Sequence, residues 1–303
     1  MGYFYLVMVA LFFSFGGSSV KLIKPFFQSE MITFMRFAVG VVWLLALKTV
    51  KRHSFRKDFR MQLHRHWGWL AIGAVSKWLA YTTENYALSI GVSYGNILTQ
   101  PAQIILLTVL GTIVLHDVLN WRKELGIALC VAGVFFISWN GMPLESLLQG
   151  NLFLTLLYLF SGACAGMFVF AQKKVADAFD ILDSNLCMFM LSAILALILP
   201  TARGTLVPMA SPSMPCILAI IWFGFVTGIG FYLNAKAIPM VPFHMVAILQ
   251  STMVFFSLAW GILFFGESVS LWILLGTVTF VAGIILMQTE LRTEQEKAVR
   301  TDD

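Results

Sequence analysis

The chain has 303 residues, of which 59% are hydrophobic and only 12% are charged, and its mean hydropathy is +0.85. Soluble domains carry charge on roughly a quarter of their residues, so this composition excludes an ordinary soluble protein and predicts an integral membrane protein. The basic residues behind the net charge of +5 lie beside apolar runs, which favours a role in membrane orientation over nucleic-acid binding.

Ten apolar segments follow one another, and each reaches the roughly 20 residues that a helix needs to cross about 30 Å of hydrocarbon. The first run has no basic region before it and no cleavage pattern after it, which predicts a spanning helix and not a removable signal peptide. We predict an all-α membrane protein with ten transmembrane helices at 3–22, 30–50, 67–88, 93–116, 121–139, 151–172, 182–201, 215–236, 241–265 and 270–289.

The stretch 87–134 returns as 237–284 at a constant offset of 150 residues, with the same two apolar runs, the same polar break and the same Leu-Gly…Val-Ala-Gly ending. This pattern predicts two copies of one unit. We place the first five-helix repeat at 1–143, the second at 144–289 and a charged cytoplasmic tail at 290–303. Because five is odd, the second repeat enters the membrane from the opposite side. Inverted repeats of this kind are typical of secondary transporters, which bind substrate between the halves.

Most Lys and Arg residues fall on one side of the predicted membrane topology, and only Lys21, Lys24 and Arg203 fall on the other side. This asymmetry predicts a multi-pass protein of the cytoplasmic (inner) membrane with both termini in the cytoplasm. The only long polar loop, 54–66, fits either a short basic helix on the anionic inner leaflet or a solvated loop that only sets orientation.

Three ionisable residues fall well inside predicted spans: Arg36, Lys77 and Glu84. A charged side chain at the bilayer centre costs at least about 2.5–3.5 kcal/mol, so such residues usually face a cavity or one another. The helical rise places Arg36 and Glu84 in the same layer of the membrane, where we predict that they pair. Lys77 is then left near the midplane without a partner.

Lys77 and Glu84 share a helix face with Tyr81, and Trp78 and Asn85 lie alongside. The cation and the carboxylate could bind a zwitterion, or the aromatic rings could bind a cationic headgroup. The alternative is an internal ion-pair network that only locks two helices together. Glu84 is also a candidate for carrying a coupling proton.

Gln100 and Gln250 are repeat counterparts, and each could bind a ligand or join two helices through a hydrogen bond of about 0.6 kcal/mol. We favour the ligand role because each half has one. Asn96 and His244 lie nearby in the same two predicted spans and are included as candidate substrate-binding residues. Pro101 removes a backbone donor and is predicted to kink its helix.

The mirror relation between the repeats fails in one helix pair. Lys77 and Glu84 in the first repeat correspond to Thr227 and Asn234 in the second. A cation and a carboxylate in one half are therefore matched by a hydroxyl and an amide in the other. We expect this asymmetry to determine substrate identity.

The four cysteines lie within or beside apolar runs, without paired spacing or a nearby His, which predicts neither disulfides nor a metal site. Phosphate-loop, dinucleotide, zinc-protease and nucleophile-elbow patterns are absent from the sequence. We therefore predict that the protein is not an enzyme and has no cofactor. Proton or ion coupling is left open.

The turn Gly266-Glu267-Ser268, followed by Leu275-Gly276 and Ala282-Gly283, resembles the Gly-Glu turn and small-residue helix of the EamA family in the drug/metabolite transporter superfamily. Pro101 matches a proline that the family places in its fourth helix, whereas His116-Asp117 replaces Gly-Glu in the first repeat. The resemblance covers the whole chain. It implies alternating access through a central cavity between the halves, in a family whose members move amino acids, sugars, nucleobases, vitamins, choline and drugs.

We predict a secondary transporter that moves a small polar or zwitterionic metabolite, such as an amino acid or related amine, across the cytoplasmic membrane. Two alternatives are a transporter of choline or of a cationic drug or metabolite, and a non-transporting membrane scaffold or lipid-binding protein. The predicted partners are a small-molecule substrate and the lipid bilayer, without nucleic acid, in a monomer or homodimer.

Overall fold

The computed structural model describes residues 2–52, 59–115, 121–141, 152–237, 240–241 and 243–301. For 111–112, 115, 243–248, 250–251 and 287–301 it describes only the backbone. All regular structure in these ranges is helical, in agreement with the predicted all-α class.

The first half contains six α-helices and a 3₁₀ turn: α1 (Gly2–Ser14), α2 (Gly16–Ile23), α3 (Ser29–Val50), α4 (Phe59–Ile90), the 3₁₀ turn Gly95–Leu98, α5 (Thr99–Leu115) and α6 (Trp121–Trp139). α1 and α2 together form one apolar crossing. Pro101 lies in the first turn of α5, where backbone N–H groups have no partner within the helix. The structure therefore differs from the predicted kink inside a long helix: Pro101 lies at the start of a helix, where proline is tolerated.

The second half contains α7 (Leu152–Val175), α8 (Ile181–Arg203), α9 (Met214–Phe225), the π-helical turn Val226–Gly230, α10 (Phe231–Ala237), α11 (Phe243–Phe265) and α12 (Leu271–Thr301). α9, the π turn and α10 form one continuous apolar run. After α11, Gly266 adopts a φ of 61°, which is a left-handed conformation that suits glycine. The turn reverses the chain and places Glu267 between α11 and α12.

Helical structure occupies all ten predicted segments, but only part of the prediction of ten spans is confirmed. Five helical runs in the described ranges are long and apolar enough to cross a membrane: Gly2–Ile23, Ser29–Val50, Leu152–Val175, Ile181–Arg203 and Met214–Ala237. Three further apolar helical stretches lie at Gly95–Leu110, Thr252–Phe265 and Leu271–Leu286. The predicted spans in α4 and α6 are less apolar because α4 carries charged groups along its length and α6 carries them in its first turn.

α4 begins at Phe59 and runs for 32 residues, so most of the predicted polar loop 54–66 is the start of this helix. Residues 53–58 lie outside the described ranges. The ring of Phe59 packs against Phe179 between α7 and α8, with the centroids 5.7 Å apart. From residue 59 onward, the stretch is therefore neither a separate surface helix nor a loop.

α6 packs closely against α12, because glycines on both helices let the two backbones approach each other. A Cβ atom added to Gly133 would lie 2.6 Å from the carbonyl oxygen of Gly276, and one added to Gly283 would lie 2.6 Å from that of Gly126. The offset of 150 exchanges these two contacts, because it relates Gly126 to Gly276 and Gly133 to Gly283. Small residues permit this approach between membrane helices, and the repeat thus appears in the packing as a two-fold relation.

We expect Gly133→Ala to destabilise the protein by about 1–3 kcal/mol, since the new methyl group would meet backbone that cannot move away cheaply. Gly68→Ala is the matched control, because a Cβ at Gly68 in α4 has no neighbour within 4 Å. Thermal unfolding in detergent should show a lower Tm for the first variant and an unchanged or slightly higher Tm for the second. Equal Tm values for Gly133→Ala and wild type would contradict the close packing.

Candidate functional site

A cavity of about 140 Å³ lies between helices of the two halves of the chain. Its wall combines aromatic, amide and charged side chains, which is unusual inside a membrane protein because polar groups there are costly. The lining residues are Ala10, Phe13, Gly16, Arg36, Lys77, Ala80, Tyr81, Glu84, Asn96, Thr99, Gln100, Gln103, Ser161, Ala165, Val169, Gln172, Phe231, Asn234, Ala235 and Met253.

Arg36 of α3 and Glu84 of α4 face each other in this cavity, with 3.8 Å between Arg36 Nη1 and Glu84 Oε2. Arg36 Nε donates a hydrogen bond of 2.9 Å to the Thr227 hydroxyl in the π turn. The guanidinium carbon lies 3.2 Å from the centroid of the Tyr81 ring and 4.1 Å from that of Phe223. Arg36 Nη1 is buried and has no hydrogen-bond acceptor among the described residues. The ion pair is therefore loose, and one guanidinium nitrogen is unused.

Lys77 of α4 is surrounded by aromatic rings. Its Nζ lies 4.1 Å from the ring centroid of Tyr81, 4.2 Å from that of Phe231 and 4.9 Å from that of Phe168. The residue is only 4% exposed. In the part of the chain that is described, no carboxylate lies within 4 Å of Lys77 Nζ.

The energies show that the rings alone do not balance the burial of Lys77. Cation–π contacts contribute about 2 kcal/mol when desolvated, whereas removing an ammonium ion from water costs several kcal/mol even after relaxation. Since Arg36 and Lys77 are cations and Glu84 is the only carboxylate among the described lining residues, the wall has an excess of positive charge. The cavity is therefore electrostatically suited to an anionic group.

The repeat relation continues inside the cavity. The offset of 150 relates Tyr81 to Phe231, and these two rings lie on either side of the same Lys77, with their centroids 6.4 Å apart. Glu84 and its counterpart Asn234 both line the cavity. Sequence analysis missed Phe231, although the offset from Tyr81 would have identified it. It gave no signal for Phe168, which lies on α7 among other apolar residues.

Amide side chains also line the cavity. Asn96 is 2% exposed, and its Oδ1 has no hydrogen-bond partner among the described residues. Gln100 Nε2 makes a weak contact of 3.8 Å with the sulfur of Met253. Gln172, which sequence analysis did not single out, donates to the Asn185 side chain behind the wall. Unused hydrogen-bonding capacity therefore remains in the wall of the cavity.

Of the other predicted site residues, Trp78 and Asn85 lie outside the cavity wall. Each is one residue, and so about 100° around the helix, from a lining residue of α4. Trp78 packs in the apolar cluster between α4 and α8. Asn85 is fully buried and donates a 2.9 Å hydrogen bond to the Thr33 hydroxyl of α3, which is a structural contact. The side chains of His244 and Gln250 lie outside the described part of the chain.

A second polar cluster joins the two halves where α2 and α4 end and α12 begins. Ser93 donates to Glu267 from its backbone N–H (2.8 Å) and from its hydroxyl (2.6 Å), and Lys21 Nζ lies 4.0 Å from the same carboxylate. Tyr94 donates to the backbone oxygen of Ser268 at 3.0 Å. We call Lys21, Ser93, Tyr94 and Glu267 the latch, because it joins the repeats at one end of the cavity-forming helices.

Lys48 of α3 and Asp183 of α8 form a short ion pair of 2.6 Å, with the Asp183 side chain 1% exposed. Sequence analysis did not single out Asp183 because a charge near the end of a predicted span is ordinary. The pair connects the first half to the second. In the described residues no group of three or more His, Cys, Asp or Glu side chains could hold a metal ion, and the four cysteines are free.

Comparison with known families identifies both halves separately. The sequence model of the EamA-like transporter family matches residues 1–139 and again residues 152–289. A comparison with curated proteins finds no match. A solved structure titled "Crystal structure of protein" covers 96% of this chain and 96% of its own, with a TM-score of 0.60 and 15% sequence identity. At this identity the likeness concerns the fold alone.

Proposed function

Because the chain belongs to the EamA-like transporter family and is therefore a membrane protein of the drug/metabolite transporter type, we propose that it moves a small polar or zwitterionic metabolite by alternating access. An amino acid or a related amine is the substrate class that the cavity suits best. The observation that carries the proposal is the cavity lined by Lys77, Arg36 and Glu84 together with Asn96, whose Oδ1 has no hydrogen-bond partner among the described residues.

The size of the cavity limits the solute. A cavity of about 150 Å³ holds benzene, which has six heavy atoms, and the cavity here has about 140 Å³. A solute of roughly that size, such as a small amino acid, fits without rearrangement. Larger drugs would require the walls to separate.

The alternatives fit the geometry less well. A choline-like cation needs free aromatic faces, but Lys77 lies against Tyr81, Phe168 and Phe231, and Arg36 lies against Tyr81 and Phe223. A scaffold whose charges are purely structural would pair them, whereas Lys77 has no carboxylate within 4 Å in the described ranges. Both observations support a transporter with a carboxylate-compatible site.

The proposal includes the topology. Ten crossings in two inverted five-helix repeats, with both termini in the cytoplasm, would place the protein in the cytoplasmic membrane as a multi-pass transporter. The two-fold relation between α6 and α12 and the asymmetry of Lys and Arg along the chain support this arrangement. Members of the family are transporters, which favours a non-enzymatic function.

Gln100→Ala tests the site. We expect it to lower counterflow of small amino acids or amines in proteoliposomes about five- to tenfold, which corresponds to the loss of one ligand hydrogen bond of roughly 1–1.5 kcal/mol. Gln62→Ala is the control, since Gln62 lies in the first turns of α4, away from the cavity. Equal transport by the two variants would remove Gln100 from the site. Transport no faster than in empty liposomes, for a panel of glycine, alanine, serine and their decarboxylated amines, would contradict the proposed function.

A further inference from the structure

Two cationic side chains in the cavity wall have hydrogen-bond donors without an acceptor among the described residues. Lys77 Nζ is held by three aromatic rings and has no carboxylate within 4 Å among the described residues. Arg36 uses Nε on Thr227, and its buried Nη1 has no hydrogen-bond acceptor there. Both side chains line the same cavity. Two cations with free donors are thus directed at one small volume.

A carboxylate group is the ligand chemistry that matches this wall. It has two oxygens with about four acceptor positions, so it can accept from an ammonium and a guanidinium together in short, charge-assisted hydrogen bonds. A neutral amide group has only one acceptor oxygen, and a protonated amino group has none. Among the described lining residues, Glu84 already lies at Arg36 and does not reach Lys77.

Asn96, which lines the same cavity, has the complementary chemistry. The buried Oδ1 of Asn96 is an acceptor without a partner in the described part of the chain. A protonated amine or a hydroxyl on the solute is a donor that this oxygen can receive. Asn96 therefore suits a donor group of a small solute, while Lys77 and Arg36 suit its acceptor-rich group.

We propose that Lys77 and Arg36 bind the carboxylate of the transported solute, so that the protein selects carboxylate-bearing solutes and rejects the corresponding amides and decarboxylated amines. This inference rests on the proposed function and narrows its substrate class. The aromatic rings of Tyr81, Phe168 and Phe231 then serve to hold Lys77 in place, and they do not bind the solute's ammonium group.

The experiment uses matched solutes with the wild-type protein in proteoliposomes. Alanine and serine are each compared in counterflow with the amide (alaninamide, serinamide) and the decarboxylated amine (ethylamine, ethanolamine). At least one acid should be moved about tenfold or more faster than its amide and amine. If an amide or amine moves as fast as the acid, the carboxylate inference is overturned while the proposed function stands. If no member exceeds empty liposomes, the proposed function for solutes of this size fails, and the inference fails with it.

Two variants test the role of Lys77 directly. Lys77→Met should lower transport of the acid at least tenfold without lowering the Tm, because it replaces a buried cation that has no carboxylate partner in the described ranges by an apolar chain of similar length. Lys77→Arg retains the charge and should keep part of the transport. A Lys77→Met protein that still prefers the acid over its amide to the same degree as wild type overturns the assignment.

Discussion

Arg36→Met is expected to lower the free energy of unfolding by about 3–5 kcal/mol, since breaking a buried ion pair leaves the other charge without compensation. Glu84 lies 3.8 Å from Arg36 Nη1 and its side chain is only 12% exposed. The variant also removes the hydrogen bond to Thr227 and the contact with the Tyr81 ring. The change should appear as a clearly lower Tm in detergent and as a reduced yield of folded protein.

The double variant Arg36→Met/Glu84→Gln separates the two roles of this pair. Because it removes both charges, it should recover much of the stability that Arg36→Met loses, and the losses from the two single variants should therefore not add. Transport should stay low in the double variant, because a carboxylate-binding donor is still missing. Simple additivity of the Tm changes would contradict the ion pair, and full recovery of transport would show that Arg36 is only structural.

Glu267→Ala is expected to shift the protein toward a state that is open at the latch. The Glu267 carboxylate accepts from the backbone and hydroxyl of Ser93 and lies near Lys21. A single hydrogen bond to a charged group contributes about 1.5–3 kcal/mol, which corresponds to about a tenfold to hundredfold change in the ratio of two states. Since the latch joins the two repeats, its loss should favour their separation at this end.

A cysteine at Gly16 can report this opening. Gly16 lines the cavity, and a Cβ there meets its nearest neighbours at 3.8 Å, so Gly16→Cys should fit. A membrane-impermeant thiol reagent, added on the side where Glu267 lies, should label this cysteine about ten to a hundred times faster when Glu267→Ala is present. The parent for this comparison is Gly16→Cys alone, and the protein with only its native cysteines gives the background labelling.

Arg203→Ala is the control for the latch. Like the latch, its ion pair with Glu30 joins the two halves, here between α3 and α8 over 3.4 Å. However, the Arg203 side chain is 67% exposed. Exposed pairs of this kind contribute little, so labelling of Gly16→Cys should stay near the parent rate. An equal increase in the two backgrounds would mean that general loosening, and not loss of the latch, exposes the cavity.

Properties that depend on neighbours along the chain could be determined from the sequence. Run length and composition indicated the helices, and the constant offset of 150 indicated the two halves that the family comparison matches separately. The shared helix face of Lys77, Tyr81 and Glu84 followed from the helical period, and all three line the cavity. Trp78 and Asn85 are each one residue from a member of this face, and the helical period could not determine on which side of α4 the cavity lies.

The tertiary structure decided which helix faces meet. Gln172 reaches the cavity and Phe168 reaches Lys77 because α7 packs against α4, and no pattern within α7 predicts these two contacts. Thr227 accepts from Arg36 across 191 residues of sequence. The sequence by itself therefore determined that Lys77 is a buried cation in one of two related halves. The packing of the other helices determined that its neighbours include the rings of Phe168 and Phe231, because contacts between distant segments depend on the whole arrangement of helices and not on any local period.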